Sequence, residues 1–151
     1  MPSHSIQPVK ILLVEDNLQD IEITRRAFAR GKVKNELVVV RDGQEALDYL
    51  YHRETYQDPS SSPRPGMILL DLNLPKVSGM EVLQEIKNDE ALRPIPVIVL
   101  TASPREEDVV RSYNLGVNTY IQKPVAFDNL LKVVQAVQEY WIIIASLPPE
   151  A

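Results

Sequence analysis

Met67-Ile-Leu-Leu-Asp71-Leu-Asn-Leu-Pro75 decides how the rest of the chain is read. Four apolar residues in a row, Met67 to Leu70, mark a strand buried on both faces, and the run stops at an aspartate followed by a proline-terminated loop. Asp71 is therefore expected at the carboxyl end of a strand. In an open α/β sheet ligands bind along that edge, so a carboxylate there is a candidate reactive group as well as a candidate helix cap. The choice between the two rests on how the other strands end.

Upstream, Val9 to Val14 predicts a first strand that runs into Glu15-Asp16-Asn17, again carboxylates at a strand's end. Asp16 or Asn17 can cap the helix that follows, whose inward stripe is expected at Leu18, Ile21, the stem of Arg25 and Phe28, with Gly31 ending it. Glu36 to Val40 predicts a second strand. Arg41-Asp42-Gly43 looks like a turn and cap leading into a short helix through Ala46, Leu47 and Leu50. Residues 53–66, RETYQDPSSSPRPG, form a long surface loop of the kind that is mobile or used in contacts.

Downstream, Ser78-Gly79 opens a helix with Val82, Leu83 and Ile86 on one face. Pro94 to Leu100 predicts another doubly buried strand, its prolines confined to the entrance, and it ends in Thr101-Ala102-Ser103-Pro104. Ser103, Pro104 and Glu106 form a capping box for a helix expected to reach Leu115 and stop at Gly116. Asn118 to Gln122 is a polar edge strand followed by Lys123-Pro124. The last helix, from Phe127, carries one apolar stripe (Phe127, Leu130, Leu131, Val134, Val137, Trp141) and a second row (Val133, Ala136, Tyr140, Ile144). That is more than one core hides, so self-association as a homodimer is expected through this helix and the adjoining edge strand.

Five strands alternating with five helices through short connections predict parallel strands and right-handed crossovers. The expected fold is a doubly wound five-stranded parallel sheet, order 2-1-3-4-5, of the flavodoxin-like α/β class. Residues 9–146 would form the domain, with a flexible arm at 1–8 and a frayed tail at 147–151. A net charge of -5 with interspersed signs disfavours direct nucleic-acid binding. With no cysteines and two separated histidines, His4 and His52, a disulfide framework or zinc site is not expected. No apolar run approaches the ~20 residues of a membrane span, and a cytoplasmic location is the expectation.

On the expected topology Glu15, Asp16 and Asp71 gather at one sheet edge, with Thr101 and Lys123 at the ends of the next strands. Clustered carboxylates repel unless a hard cation neutralises them, and Mg2+ suits an all-oxygen site that awaits a phosphate. Asp71 then reads as a nucleophile toward phosphorus. Lys123 and the Thr101 hydroxyl would compensate the added phosphoryl charge, and Asn73 could offer its backbone carbonyl to the metal and its side chain to the loop surface. Taken singly, a lysine before proline is more often merely solvated, and a strand-end threonine more often a cap.

Glu15-Asp16, Asp71 with Asn73, Thr101, Lys123-Pro124 and Tyr120 together resemble the receiver domain of two-component response regulators, from about Val9 into the last helix. The resemblance implies that Glu15 and Asp16 bind magnesium, that Asp71 takes a phosphoryl group from a sensor histidine kinase, and that Thr101 and Lys123 hold it. It also implies a cis Lys123–Pro124 bond, which proline makes accessible. Tyr120 would turn inward as Thr101 shifts toward the phosphoryl group, a small two-state element. The loop 53–66, the stretch around Asp71 and the Trp141 region are similar to the response regulators of cyanobacterial phytochromes. With no output domain after the last helix, signalling is expected through protein contacts.

Two other readings compete. A phosphorylation-independent scaffold would keep the shape and signal by docking, and a phosphatase-type hydrolase would use Asp71 catalytically, although Asn73 stands where its general acid is expected. Flavin binding fits the fold but not three carboxylates facing an anionic cofactor.

Overall fold

The computed structural model describes residues 10–30, 35–117, 119–123, 128–130 and 132. In chain order it contains β1 (Ile11–Val14), α1 (Leu18–Arg30), β2 (Leu37–Val40), α2 (Gly43–Leu50), a 3-10 turn (Glu54–Tyr56), β3 (Met67–Asp71), α3 (Gly79–Asn88), β4 (Val97–Thr101), α4 (Pro104–Ser112) and β5 (Thr119–Gln122). Residues 128–130 and 132 are helical, where the fifth helix is expected. The apolar rows of that helix beyond Leu130, the N-terminal arm, the tail and the Lys123–Pro124 bond lie outside the described residues.

The sheet has the order β2-β1-β3-β4-β5 with every pairing parallel. Register is what positions the site. Val14 pairs with Leu70 and Asp71 with Leu100, while Thr101 pairs with Gln122. Asp71 and Thr101 are the last residues of β3 and β4, and Glu15 and Lys123 follow directly on β1 and β5, so the four stand along one edge.

Alternation along the buried strands divides the core in two. Leu12, Val14, Ile68, Leu70, Val97 and Val99 face α2 and α3, meeting Ala46, Leu50, Val82, Leu83 and Ile86. Ile11, Leu13, Met67, Leu69, Ile98 and Leu100 face the other way, onto Ile21, Ala27 and Phe28 of α1 and onto Leu130. A strand apolar at every position needs helices on both sides to bury both sets, and here both sets are buried.

Two sequence expectations are corrected. The inward stripe of α1 is Ile21, Thr24, Ala27 and Phe28, whereas Leu18 is 66% exposed and Arg25 is exposed. Leu18 is the first residue after the Asn17 cap and overhangs the sheet edge. Thr24 is buried at little cost because its hydroxyl donates to the Asp20 carbonyl at 2.8 Å. Helix α4 stops at Ser112, short of Leu115: Asn114 takes φ 53° and Gly116 φ 81°, so the chain turns through the left-handed region twice. Residues 53–66 form the expected surface loop, and it is anchored at several points. They contain the 3-10 turn, and the Tyr49 hydroxyl donates to the Pro63 carbonyl at 2.9 Å while Lys10 Nζ donates to the Ser61 carbonyl at 3.3 Å. The segment is thereby pinned at the end of the sheet away from Asp71.

Candidate functional site

Glu15 follows β1 and is fully buried. Its Oε2 accepts the Asn17 N–H at 3.2 Å, while Oε1 is buried with no hydrogen bond and only an ion pair to Lys123 Nζ at 2.8 Å. Burial pushes the Glu15 carboxyl up and the neighbouring Asp71 adds to this; the Lys123 ammonium pulls the other way, and the balance is about 7. Asp16 is half-buried, and its backbone carbonyl accepts from the Arg41 guanidinium at 3.1 Å. Arg41 thus does more than the turn and cap expected of Arg41-Asp42-Gly43. Asp42 keeps its expected role, capping α2 through the Glu45 N–H at 2.7 Å.

Asp71 is 2% exposed and has both carboxylate oxygens engaged. Oδ1 accepts the Asn73 N–H at 3.1 Å, and Oδ2 accepts from Lys123 Nζ at 3.0 Å. The Asn73 side chain does not simply face the loop surface: its amide lies 3.4 and 3.5 Å from the two Glu106 oxygens. Behind Asp71, the first residue of α3 comes so close that a β-carbon on Gly79 would stand 2.2 Å from the Asp71 carbonyl oxygen. Only glycine permits that approach.

Thr101 is 1% exposed, and its carbonyl accepts the Lys123 N–H at 2.7 Å, so the two residues are tied across β4 and β5. Burial works against the Lys123 ammonium, but its contacts with the Glu15, Asp20 and Asp71 carboxylates outweigh it and hold the group firmly charged. Ser103 caps α4 as expected, accepting the Glu106 N–H at 3.3 Å, whereas the Glu106 side chain reaches back to the Ala102 N–H. Tyr120 is half-buried beneath the Arg111 guanidinium.

Glu15, Asp16 and Asp71 offer carboxylate oxygens that all lie within 4.8 Å of one another. An octahedral ion with bonds of ~2.1 Å holds its ligands roughly 3 to 4.2 Å apart, so small side-chain movements bring the three onto one cation. The donor set is hard oxygen throughout, and the buried Glu15 Oε1 has no hydrogen bond and shares the one Lys123 ammonium with Asp20 and Asp71. These residues fit a divalent metal.

The response regulator receiver domain family matches residues 11–135 of the chain. The chain is a response regulator receiver. Response regulator Rcp1 from Synechocystis sp. is 43% identical over 148 residues, covering 98% of this chain and 99% of its own. Among solved structures, the phosphorylated cyanobacterial phytochrome response regulator RcpA superposes with a TM-score of 0.76 at 46% identity, covering 95% of this receiver and 100% of its own chain. The Mn2+-bound form of Rcp1 superposes with a TM-score of 0.75 at 43% identity, covering 94% and 100%. The receiver therefore has the doubly wound fold read from its sequence, belongs to the family of the phytochrome response regulators, and carries an acidic pocket of the kind that binds a divalent metal.

Glu15, Asp16, Asp71, Thr101 and Lys123 all come together at the receiver's sheet edge. The sequence reading missed Asp20, whose Oδ2 lies 2.9 Å from Lys123 Nζ, and the bridging role of Glu106. Asp20 stands in the first turn of α1, directly after the strand end that carries Glu15 and Asp16, and that nearness was the available signal. An acidic residue in a first helical turn is common enough, as a partner of the helix dipole, that it does not stand out in a sequence. Among the described residues no helix is long and apolar enough to cross a membrane.

Proposed function

We propose that Asp71 is the phosphoacceptor of this receiver, taking a phosphoryl group from a phosphohistidine of a sensor kinase in a Mg2+-dependent reaction. One observation carries the reading: a nearly inaccessible carboxylate stands between a metal-ligating acidic pair and an ammonium 3.0 Å away. Glu15, Asp16, Asp71 and the Asn73 backbone carbonyl would hold the ion. When bound, it supplies charge neutralisation between the carboxylates and the incoming phosphoryl oxygens.

An Asp71 oxygen attacks phosphorus as the phosphorus–nitrogen bond breaks, and the electron pair stays on the imidazole nitrogen, which then takes up a proton. Lys123 hydrogen-bonds the phosphoryl oxygens and Thr101 donates its hydroxyl to them. The shift of Thr101 opens the space into which Tyr120 turns, giving the switch its second state. The same groups let the protein assist its own phosphorylation and dephosphorylation without being a dedicated multi-turnover enzyme.

The kinase is read as phytochrome-type, on the strength of the relatives' names and the extent of the likeness. Output runs through protein contacts, with a homodimer formed by the last helix and β5; Val109 on α4 and Tyr113 at its C-cap are exposed large apolar side chains of the kind such a contact covers. Residues 9–146 form the receiver between an arm at 1–8 and a tail at 147–151, in the cytoplasm, with neither nucleic acid nor membrane as a direct partner.

Radiolabelled acetyl phosphate with Mg2+ tests the assignment. Wild type gives an acid-stable, base-labile adduct, and both Asp71→Asn and magnesium removal abolish it; label persisting in Asp71→Asn would take the role from Asp71. Light scattering at tens of micromolar reads the dimer, and a mass equal to one chain with and without phosphorylation would exclude it.

A further inference from the structure

Lys123 has one carboxylate more around it than metal and phosphoryl chemistry require. Glu15 and Asp71 belong to that chemistry. Asp20 belongs to neither role, yet its Oδ2 lies 2.9 Å from Lys123 Nζ, as close as the 2.8 Å to Glu15 and the 3.0 Å to Asp71.

The backbone of Asp20 is held at both polar groups. Its N–H donates to the Asn17 cap at 3.0 Å, and its carbonyl accepts the buried Thr24 hydroxyl at 2.8 Å. The carboxylate is thus carried on a fixed turn of helix, and its side chain is only 17% exposed, so the pair is sheltered from the screening that makes surface ion pairs weak.

An ammonium has three N–H donors and no preferred plane, so its partners alone decide where it points. Two of the three partners change on phosphorylation: Glu15 is drawn to a cation, and Asp71 loses its charge when an oxygen becomes bonded to phosphorus. We infer that Asp20 is a positioning residue that acts through Lys123, keeping the ammonium aimed at the phosphoryl group while its other two carboxylate partners are lost to it. The inference rests on the reading of Asp71 as phosphoacceptor and deepens it. The opposing account treats Asp20 as one more anion. Its removal would then lessen repulsion and tighten a phosphoryl mimic.

The two accounts predict opposite signs. Beryllofluoride binding to the full chain, measured by calorimetry at saturating Mg2+, is expected to weaken by about tenfold in Asp20→Asn, the loss of one charge-assisted contact. Asp20→Glu restores it to within about threefold, and Mg2+ affinity alone changes by less than about threefold. In a Lys123→Met background the Asp20→Asn substitution has no further effect. Tighter beryllofluoride binding in Asp20→Asn, or an undiminished effect in Lys123→Met, overturns the inference. A separate readout is spectroscopic: in the protein loaded with Mg2+ and beryllofluoride the Lys123 ammonium gives a protected 15N–1H signal in the wild type that is lost in Asp20→Asn. A wild type that fails to bind beryllofluoride would remove the phosphoacceptor reading, whereas an ammonium signal that survives Asp20→Asn would remove the anchor.

Discussion

Arg111 lays its guanidinium 4.4 Å from the centre of the Tyr120 ring. Glu107, one turn earlier on α4, holds the same guanidinium at 2.8 Å, so the cation is fixed over the ring rather than free in solvent. Tyr120 is therefore held from the α4 side in its present half-buried place. If Tyr120 is the moving part of the switch, loosening this contact favours the inward state. Arg111→Ala is expected to tighten beryllofluoride binding by roughly twofold to fivefold, an amount suited to one exposed cation–π contact. Side-chain couplings of Tyr120 by NMR should show the inward rotamer gaining population in the variant before any ligand is added. Unchanged rotamers and affinity would leave Arg111 a surface residue.

Gly79 and Gly116 are glycines for different reasons, and alanine should separate them. At Gly79 the new β-carbon would meet the Asp71 carbonyl oxygen at 2.2 Å and the Leu72 α-carbon at 2.5 Å, so β3 and α3 must move apart beside Asp71. Gly79→Ala should cost about 1–3 kcal/mol in urea denaturation, the usual range for forcing extra atoms into a packed site, and should weaken Mg2+ binding as well. Gly116 has open space around it but φ +81°. Its alanine variant should cost about 1 kcal/mol of backbone strain and leave Mg2+ affinity unchanged.

Divalent metal should stabilise the protein more than a neutral surface site would. Without it, Glu15, Asp20 and Asp71 share the Lys123 ammonium while an Asp16 oxygen lies within 4.8 Å of the Glu15 and Asp71 oxygens, and Glu15 Oε1 lacks a hydrogen bond. At a hundredfold excess of Mg2+ over its dissociation constant the gain is about 2.7 kcal/mol by mass action, read as a shift in the urea midpoint. Glu15→Gln should lose most of that gain, because an amide oxygen is a poorer ligand for a hard dication. An equal gain in the variant would place the ion elsewhere.

Tyr49 makes a pH prediction far from the site. Burial pushes its hydroxyl up to about 12, with the Glu36 charge adding to the effect, and the hydroxyl donates to the Pro63 carbonyl. The folded state holds this proton more tightly than the unfolded chain, whose tyrosines ionise near 10. Its contribution is therefore fully present below about pH 10 and is lost as pH rises toward 12, by roughly 2–3 kcal/mol. Tyr49→Phe should be about 0.5–1.5 kcal/mol less stable at pH 7 through the missing hydrogen bond, and should show a shallower alkaline loss. Wild type and variant running parallel above pH 10 would contradict the assignment.

The reading of α1 shows where pattern alone fails. Leu18 and Arg25 were expected to face the core because a helical wheel cannot tell how the helix is rolled against the sheet; the structure rolls it toward Thr24 and Ala27. Thr24 is a polar residue that pattern excludes from a core, and only its bond to the Asp20 carbonyl makes it acceptable there. The end of α4 was misplaced for a similar reason, since Asn114 turns the chain before the glycine that advertised the stop.

Strand identity, the parallel order and the five residues at the carboxyl edge were legible because each depends on short-range facts. An apolar run of four or five residues can only be a doubly buried strand in this context, and a strand has a definite end. Short βα connections then make the strands parallel with right-handed crossovers, which leaves few doubly wound orders open. What no linear pattern carries is the distance between side chains that approach from different elements. Asp20 meeting Lys123, Glu106 meeting Asn73 and Arg111 lying on Tyr120 join residues 103, 33 and 9 positions apart in the chain. Such contacts depend on the roll and tilt of helices against the sheet, which packing sets to within an ångström and sequence spacing leaves open.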